Sequence, residues 1–326
     1  MTQAPIPTPA LSVIFATDRY ETIRRTVAYL RAQTVRERIE VVLVAPSTEQ
    51  LALDQADVAA FSNVRVVETG RLASLRTPKA AGIFAATAPL IVLAESHCFP
   101  QPRWAEALID AHRQPWAAIG PAVGNANPDS MVSWSNLLID YGPWLAPHPG
   151  GPIDDLPANN TSYKRALLLG YGEALGALLD AETVLHADLR AKGHRLYLEP
   201  AAITLHLNVS RLSAWLPERF YAARVFATAR AQRWSVLRRL AYVGGAPLIP
   251  IVRFKRILAD VRRAGRQREL LPRVLPALVV GLLASAFGET VGYLFGKGEG
   301  VQRLTEYELH REAYVARKTG KPPVPV

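Results

Sequence analysis

The stretch Leu90-Ile91-Val92-Leu93-Ala94-Glu95-Ser96-His97-Cys98-Phe99-Pro100 constrains the fold more than any other. An unbroken apolar, partly β-branched run describes a strand buried on both faces, as in the sheets of α/β proteins. The run stops at an acid, a hydroxyl and an imidazole. Phe99-Pro100-Gln101-Pro102 cannot continue the strand and opens onto a helical pattern from Trp104. Open α/β sheets bind ligands beyond the carboxyl ends of their strands, so Glu95 and His97 stand where a site belongs. At strand geometry they alternate across Ser96 and point the same way, and an oxygen and a nitrogen donor on one side suit a shared divalent cation. A polar strand end that merely caps the sheet is the competing reading of the same residues.

The chain before this stretch alternates strands with helices. Leu11 to Thr17 is a first buried strand. Asp18 opens a helix with apolar spacing at Ile23, Val27 and Leu30, and Asp18 with Glu21 makes a capping-box pattern. Ile39 to Val44 is a second strand, Thr48 to Ala60 is helical, and Val64 to Val67 is a third strand. Leu75 to Ala86 reads as loop and helix. Such alternation implies a mainly parallel sheet. The first turn lacks Gly-x-Gly-x-x-Gly, which disfavours a dinucleotide-binding fold.

Charge separates the chain into two characters. Its formal net charge is +10, from 38 Lys and Arg against 28 Asp and Glu. Between Arg211 and Arg273 there are 15 basic and 3 acidic residues, a net of +12, which leaves 23 against 25 elsewhere. The basic character thus belongs to one segment, suited to an anionic membrane surface or to nucleic acid. The lone cysteine, Cys98, excludes an internal disulfide framework and fits a reducing compartment. Met1 to Ala10 is Pro-rich, without the basic and apolar regions of a signal peptide, and reads as a disordered leader.

Ser12 to Thr26, with the Gln33-Thr34 that closes the helix, resembles the opening of family-2 glycosyltransferases. Arg76-Thr77-Pro78-Lys79-Ala80-Ala81-Gly82 is similar to that family's loop before its metal strand. Glu95-Ser96-His97 stands where the family has an Asp-x-Asp-like triplet, and Pro102-Arg103-Trp104 before a helix is also typical. The resemblance runs from about residue 11 to residue 208. It implies a GT-A fold, a nucleotide-sugar donor, Mg²⁺ or Mn²⁺, and inversion at the anomeric carbon. It places Thr17, Asp18, Arg76 and Lys79 among the donor-binding residues, with Arg76 or Lys79 adding positive charge at the diphosphate. Two departures stand out. The second strand ends Val44-Ala45-Pro46-Ser47, without the family's acids, and the triplet holds one carboxylate.

Farther along, Gly120 to Val123 reads as a strand, and Trp134, Tyr141 and Trp144 lie in a stretch with loop character. The loop from Gly150 to Arg165 crowds turn residues and polar groups together. Similar Asn-rich loops lie near the donor sugar and acceptor in the family, which brings in Asp155, Asn159 and Asn160. Asp180 to Leu196 reads as an amphipathic helix with Val184, Leu185 and Leu189 on one face, stopped by Gly193. Aligned on Leu189 to Gly193, the family's catalytic base falls at Glu182. An acid at a helix N-terminus is also simply stabilising, by about 0.3–1 kcal/mol. Leu196 to Pro200 and Ala202 to His206 read as two short strands, and His206 corresponds to a late histidine that completes the metal site in many GT-A enzymes.

From Leu212 the composition turns to arginine, aromatics and aliphatics. Leu216 to Arg239 reads as one Arg-rich helix with Phe220, Tyr221, Val225 and Phe226 on its apolar side. Tyr242 to Val252 is too short to span a bilayer. Val274 to Gly296 is long enough, with Glu289 as its one charge. It reads as a span, as half of a re-entrant pair, or as a helix packed on the rest of the protein. The expected organisation is a leader (1–10), a GT-A-type α/β domain of mainly parallel sheet flanked by helices (11–210), a helical membrane-associating region (211–300) and a polar, frayed tail (301–326). The expected function is sugar transfer from a nucleotide-sugar donor to a lipid-linked or glycan acceptor at the cytoplasmic face of the membrane. The alternative is a catalytically silent relative serving as a membrane scaffold. No nucleic-acid partner is expected, because no recognised reading module accompanies the arginines.

Overall fold

The computed structural model describes residues 8–70, 72, 76–179, 182–232 and 234–316, excluding the side chains of Arg76, Thr77 and Glu182. The expected leader and the end of the tail fall largely outside that range. In chain order the elements begin β1 (Leu11–Ala16), α1 (Tyr20–Arg31), β2 (Ile39–Ala45), α2 (Thr48–Leu51), α3 (Gln55–Val58), β3 (Asn63–Glu68), α4 (Arg76–Ala85), β4 (Leu90–Leu93) and β5 (Cys98–Pro100). Then come α5 (Trp104–Ala111), β6 (Ala118–Asn125), α6 (Met131–Tyr141), β7 (Gly151–Ile153), β8 (Ser162–Lys164), α7 (Arg165–Leu169), α8 (Leu175–Leu178), α9 (Glu182–Ala191) and β9 (Leu196–His206). The chain ends in α10 (Leu212–Arg230), α11 (Val236–Gly244), α12 (Leu248–Arg263), α13 (Gln267–Phe295) and α14 (Gly300–Leu309).

Two compact units result. Among the described residues, the first holds 8–124 and 146–205, and the second holds 125–145 and 206–316. The first is built on one sheet of strand order β3-β2-β1-β4-β8-β6-β9-β5, with β7 paired to β9. β1 to β4 pair in parallel, as their alternation with helices requires, whereas β8 runs antiparallel between β4 and β6. The predicted parallel half is therefore present, and an antiparallel half extends it. Leu11, Val13, Val41, Leu43 and Val92 pack with Ile23, Val27 and Leu30 of α1 and Trp104 and Leu108 of α5. Inside this core Glu40 accepts from the Ser12 hydroxyl (2.5 Å), from the Thr87 N–H (2.8 Å) and from Arg65 Nε (3.0 Å). Burial pushes its carboxyl up, but these donors outweigh burial and hold it below the usual range.

Several local expectations give way. Asp18 is not the N-cap of α1, because Arg19 takes the extended cap conformation and Asp18 instead accepts from the Thr22 hydroxyl at 3.1 Å. The helix expected over 48–60 is two single turns, capped by Ser47 and Asp54 and parted by Ala52 in the left-handed region. Pro100 closes β5 instead of breaking it, since an edge strand tolerates a residue that donates no hydrogen bond. β9 runs unbroken through Pro200 as one strand. Trp134 and Tyr141 lie on α6, not in a loop, and Trp134 is buried with its indole N–H on the Pro128 carbonyl. On α9 Leu185 and Leu189 face inward, but Val184 is exposed.

The second unit is helical. The single helix expected over 216–239 breaks after Arg230, and Ser235 caps α11. The buried face of α10 carries Trp215, Glu218, Arg219, Ala223 and Ala227, while of the expected apolar side Phe220, Tyr221 and Val225 are half-buried and Phe226 is exposed. The reason is a set of partners distant in sequence. Arg311 pairs with Glu218 and with Glu308 (2.7 Å), and Arg219 pairs with Asp140 (2.5 Å). Gly281, Gly288 and Gly292 form a stripe on α13 along which the chain comes closest to α10. A Cβ at Gly288 or Gly292 would overlap the carbonyl oxygen of Phe220 or Arg224. Glu289 accepts from Arg253 at 2.7 Å and from the Tyr293 hydroxyl at 3.2 Å. Where a frayed tail is expected, α14 forms, and Tyr307 bonds the Ala214 carbonyl at 2.9 Å.

Candidate active site

β1 and β4 are parallel neighbours, so the segments that leave their carboxyl ends emerge at the same edge of the sheet. Thr17 and Asp18 come directly after β1. Ala94 still bonds the Ile14 carbonyl (2.9 Å), and Glu95, Ser96 and His97 then form a turn before β5. The two proposed ligands thus meet through a turn and not through strand alternation. His97 Nε2 stands 4.0 Å from Glu95 Oε2, and both side chains are buried. The Thr26 hydroxyl donates to the Ser96 carbonyl at 2.6 Å, which fixes the turn to α1.

Glu95 is held by donors from several segments. The amide of Asn159 donates to Oε1, that of Asn160 reaches Oε2 at 3.4 Å, and Cys98 Sγ donates to Oε2 at 2.8 Å. Lys79 Nζ in turn donates to Asn159 Oδ1 at 2.8 Å. Asn160 adopts φ 62°, a left-handed conformation that asparagine tolerates better than most residues, while its N–H bonds the Leu93 carbonyl. The loop from Gly150 to Arg165 therefore delivers two amides to one carboxylate. Such outer partners orient metal ligands.

His206 is the last residue of β9, whose neighbour in the sheet is β5. Glu95, His97 and His206 each offer one ligand atom, and these atoms lie within 4.8 Å of one another. One carboxylate and two imidazoles suit an N/O-ligated divalent cation such as Mn²⁺ or Zn²⁺ better than an all-oxygen Mg²⁺ site. The donor set therefore fits a cation.

Other expected site residues lie elsewhere or differ in company. Thr17 is buried and its hydroxyl donates to the Arg19 carbonyl at 2.8 Å. Asp155 pairs with His186 Nδ1 at 2.6 Å, and His186 Nε2 meets the Tyr163 hydroxyl at 2.8 Å. That chain bolts α9 to β8 and to the loop, so Asp155 is committed within the protein. Arg76 and Glu182 open α4 and α9, and their side chains lie outside the described residues. Sequence reasoning missed His186 and also the asparagines around His206. Asn208 bonds His206 Nδ1 at 2.9 Å and connects to Asn125, Asn127 and Asn136. The Asn125-Ala126-Asn127 spacing and the step from His206 to Asn208 were the available signals.

The second unit contains a separate cavity of about 430 Å³, lined by Ile139, Phe226, Ile257, Arg219, Arg253 and Arg256 among others. Arg219 and Arg253 there already carry carboxylate partners.

The first unit is thus a mixed α/β sheet with a cluster of possible metal ligands at its strand ends. Residues 12–168, a little under half of the chain, match glycosyl transferase family 2. No curated protein sequence matches the chain. Among the solved structures similar at low identity are the following two. One is GalNAc-T7 with UDP, GalNAc and Mn²⁺, with 14% identity and a TM-score of 0.47, over 63% of this chain and 44% of that one. This chain thus spans less than half of that protein's length. The other is S. aureus TarS 1-349, with 15% identity and a TM-score of 0.43, over 90% of this chain and 91% of that one.

Proposed function

We propose that the protein transfers a sugar, with inversion, from a nucleotide-sugar donor to a hydroxyl of a lipid-linked or glycan acceptor at the cytoplasmic face of a membrane. The observation that carries this reading is the Glu95–His97–His206 group at the strand ends of a sheet whose segment 12–168 matches glycosyl transferase family 2. Those three residues would hold a divalent cation, which when bound supplies Lewis-acid stabilisation of a leaving diphosphate. Asn159 and Asn160 orient the Glu95 carboxylate, and Lys79 adds a positive charge behind Asn159. Glu182, at the start of α9, takes the proton from the attacking hydroxyl.

The membrane part of the proposal draws on the second unit. Its exposed aliphatic and aromatic residues include Leu237 and Leu240 on α11, Leu248 and Ile251 on α12, and Leu275, Val279, Leu283 and Phe287 on α13. Arginines lie close by in sequence, a composition that suits a headgroup layer. α13 is the one helix among the described residues long and apolar enough to cross a membrane, and 44% of its most apolar window is buried.

The test is calorimetry of the full chain against a panel of nucleotide sugars, with and without Mn²⁺. At least one donor binds, about tenfold or more tighter with the cation, and Glu95→Gln abolishes that gain. Equal affinity in both conditions would discard the cation. Glu182→Gln keeps donor affinity but loses transfer; unchanged turnover removes Glu182 from the mechanism. Flotation with anionic and neutral vesicles checks the membrane, and binding to neither refutes that part.

A further inference from the structure

The asparagines behind His206 settle which of its ring nitrogens carries the proton. An indole N–H can only donate, so the atom of Asn136 that receives Trp215 Nε1 at 2.8 Å is its oxygen. The Asn136 nitrogen therefore faces Asn208, at 3.2 Å, and donates to it. Asn208 must then present its oxygen there. A second anchor agrees. The other amide atom of Asn208 lies 2.9 Å from the carbonyl of His206, an acceptor only, so that atom is the nitrogen. The same nitrogen reaches Asn125 Oδ1 at 3.1 Å. Two independent constraints thus give Asn208 one orientation. Its Oδ1, 2.9 Å from His206 Nδ1, can accept but not donate.

His206 Nδ1 accordingly carries the hydrogen, and in the neutral ring Nε2 keeps its lone pair. The backbone adds rigidity, since Asn127 bonds both the N–H and the C=O of Asn208 at 3.0 and 2.9 Å. The Tyr141 ring, its centroid 4.6 Å from that of His206, packs on the imidazole. All these groups are buried or nearly so, where a wrong amide orientation would set two like atoms face to face and cost a desolvated, unmade bond.

We propose that Asn208 is a positioning residue, held by the Trp215–Asn136 relay, which locks His206 in the Nδ1–H tautomer and leaves Nε2 ready to ligate a cation. This rests on the reading of His206 as a ligand, but the tautomer is a property of the metal-free chain and is measured without it. A solvated histidine side chain favours the opposite form, with the proton on Nε2, so the protein imposes a choice that solution does not.

The experiment is nitrogen-15 long-range correlation NMR of the full chain, histidine-labelled, metal-free and at mildly alkaline pH. The His206 signals are assigned by their loss in His206→Gln. Wild type shows the Nδ1–H pattern, and Asn208→Ala shifts towards Nε2–H. Asn208→Asp, which keeps an acceptor at that place, retains Nδ1–H. Mn²⁺ titration monitored by electron paramagnetic resonance then shows about 10–100-fold weaker binding for Asn208→Ala, the usual effect of losing an outer partner. An Nε2–H pattern in wild type overturns the proposal outright, even if Asn208→Ala fails to fold. So does an unchanged tautomer in a folded Asn208→Ala. An Nδ1–H wild type that binds no Mn²⁺ upholds the lock and refutes the cation reading instead.

Discussion

Glu95 of the sheet unit is held differently from the buried acids of the helical unit, and also from Glu40 of its own unit, which meets Arg65. In the sheet unit Glu95 is braced by amides and a thiol, none of them cationic, so its negative charge is oriented but not neutralised by those contacts. In the helical unit the buried acids meet arginines: Glu218 with Arg311, Asp140 with Arg219, Glu289 with Arg253. Bracing a charge with neutral dipoles preserves its attraction for a cation. Pairing it with a guanidinium spends that attraction inside the fold. The contrast separates a carboxylate braced by neutral groups from carboxylates paired with guanidinium groups.

The largest expected effect tests the second half of the contrast. Arg311→Met removes the short partner of Glu218, leaving it the longer contact to Arg219 at 3.7 Å, and lowers stability by about 3–5 kcal/mol, read from urea unfolding of the full chain. Replacing Glu218 by Met as well recovers most of the loss, because the penalty comes from a buried charge left without its short partner. A loss below about 1 kcal/mol would mean that the pair is not structural and that the contrast fails.

The next effect sharpens the first half by showing how the sheet unit treats a buried base. His112 lies against Ser162, whose hydroxyl donates to the Ile119 carbonyl at 3.1 Å, so His112 Nε2–H donates to Ser162 Oγ at 2.9 Å. Burial, with the Lys164 ammonium nearby, pushes its pKa down to about 4. The unfolded chain protonates near 6.5. The stability that neutral His112 contributes is therefore complete above about pH 6.5 and is lost as pH falls towards about 4, by up to roughly 3 kcal/mol. His112→Gln should flatten that part of the stability–pH curve, and an unaltered curve would contradict the assignment.

The smallest effect concerns packing. Gly288→Ala forces α13 away from the Phe220 carbonyl and costs about 1–3 kcal/mol. Circular dichroism melting of the full chain measures it, and no change would show that the close approach is dispensable.

Local features of the sequence were the readable ones. Hydrophobic runs such as Val41 to Val44 and Ile91 to Leu93 carry their own strand signal, so the parallel half-sheet was legible, and the nearness of Glu95 to His97 was too, but not the turn that brings them together. The antiparallel β8 was not, because a three-residue strand among turn residues has too few positions to show a period. Asp155 was legible as polar but not as spoken for, since its partner His186 lies 31 residues later. The inward face of α10 was misread for the same reason: Glu218 and Arg219 look solvated until Arg311 and Asp140 arrive from elsewhere in the chain. A charge signals exposure unless a counter-charge is known, and periodicity holds no information about counter-charges.

The glycines of α13 have a mechanical consequence. With no side chain between Gly288 or Gly292 and the main chain of α10, the two helices are keyed together like a ratchet and its pawl. Neither can slip along the other by a residue without driving a larger side chain into a carbonyl. Whatever lipid or solvent touches Leu283 and Phe287 therefore tugs on α10 as well, and through Glu218 and Arg219 on α14 and α6. A pull on the greasy face would be felt as a displacement of the whole bundle rather than as a loosening of one rod.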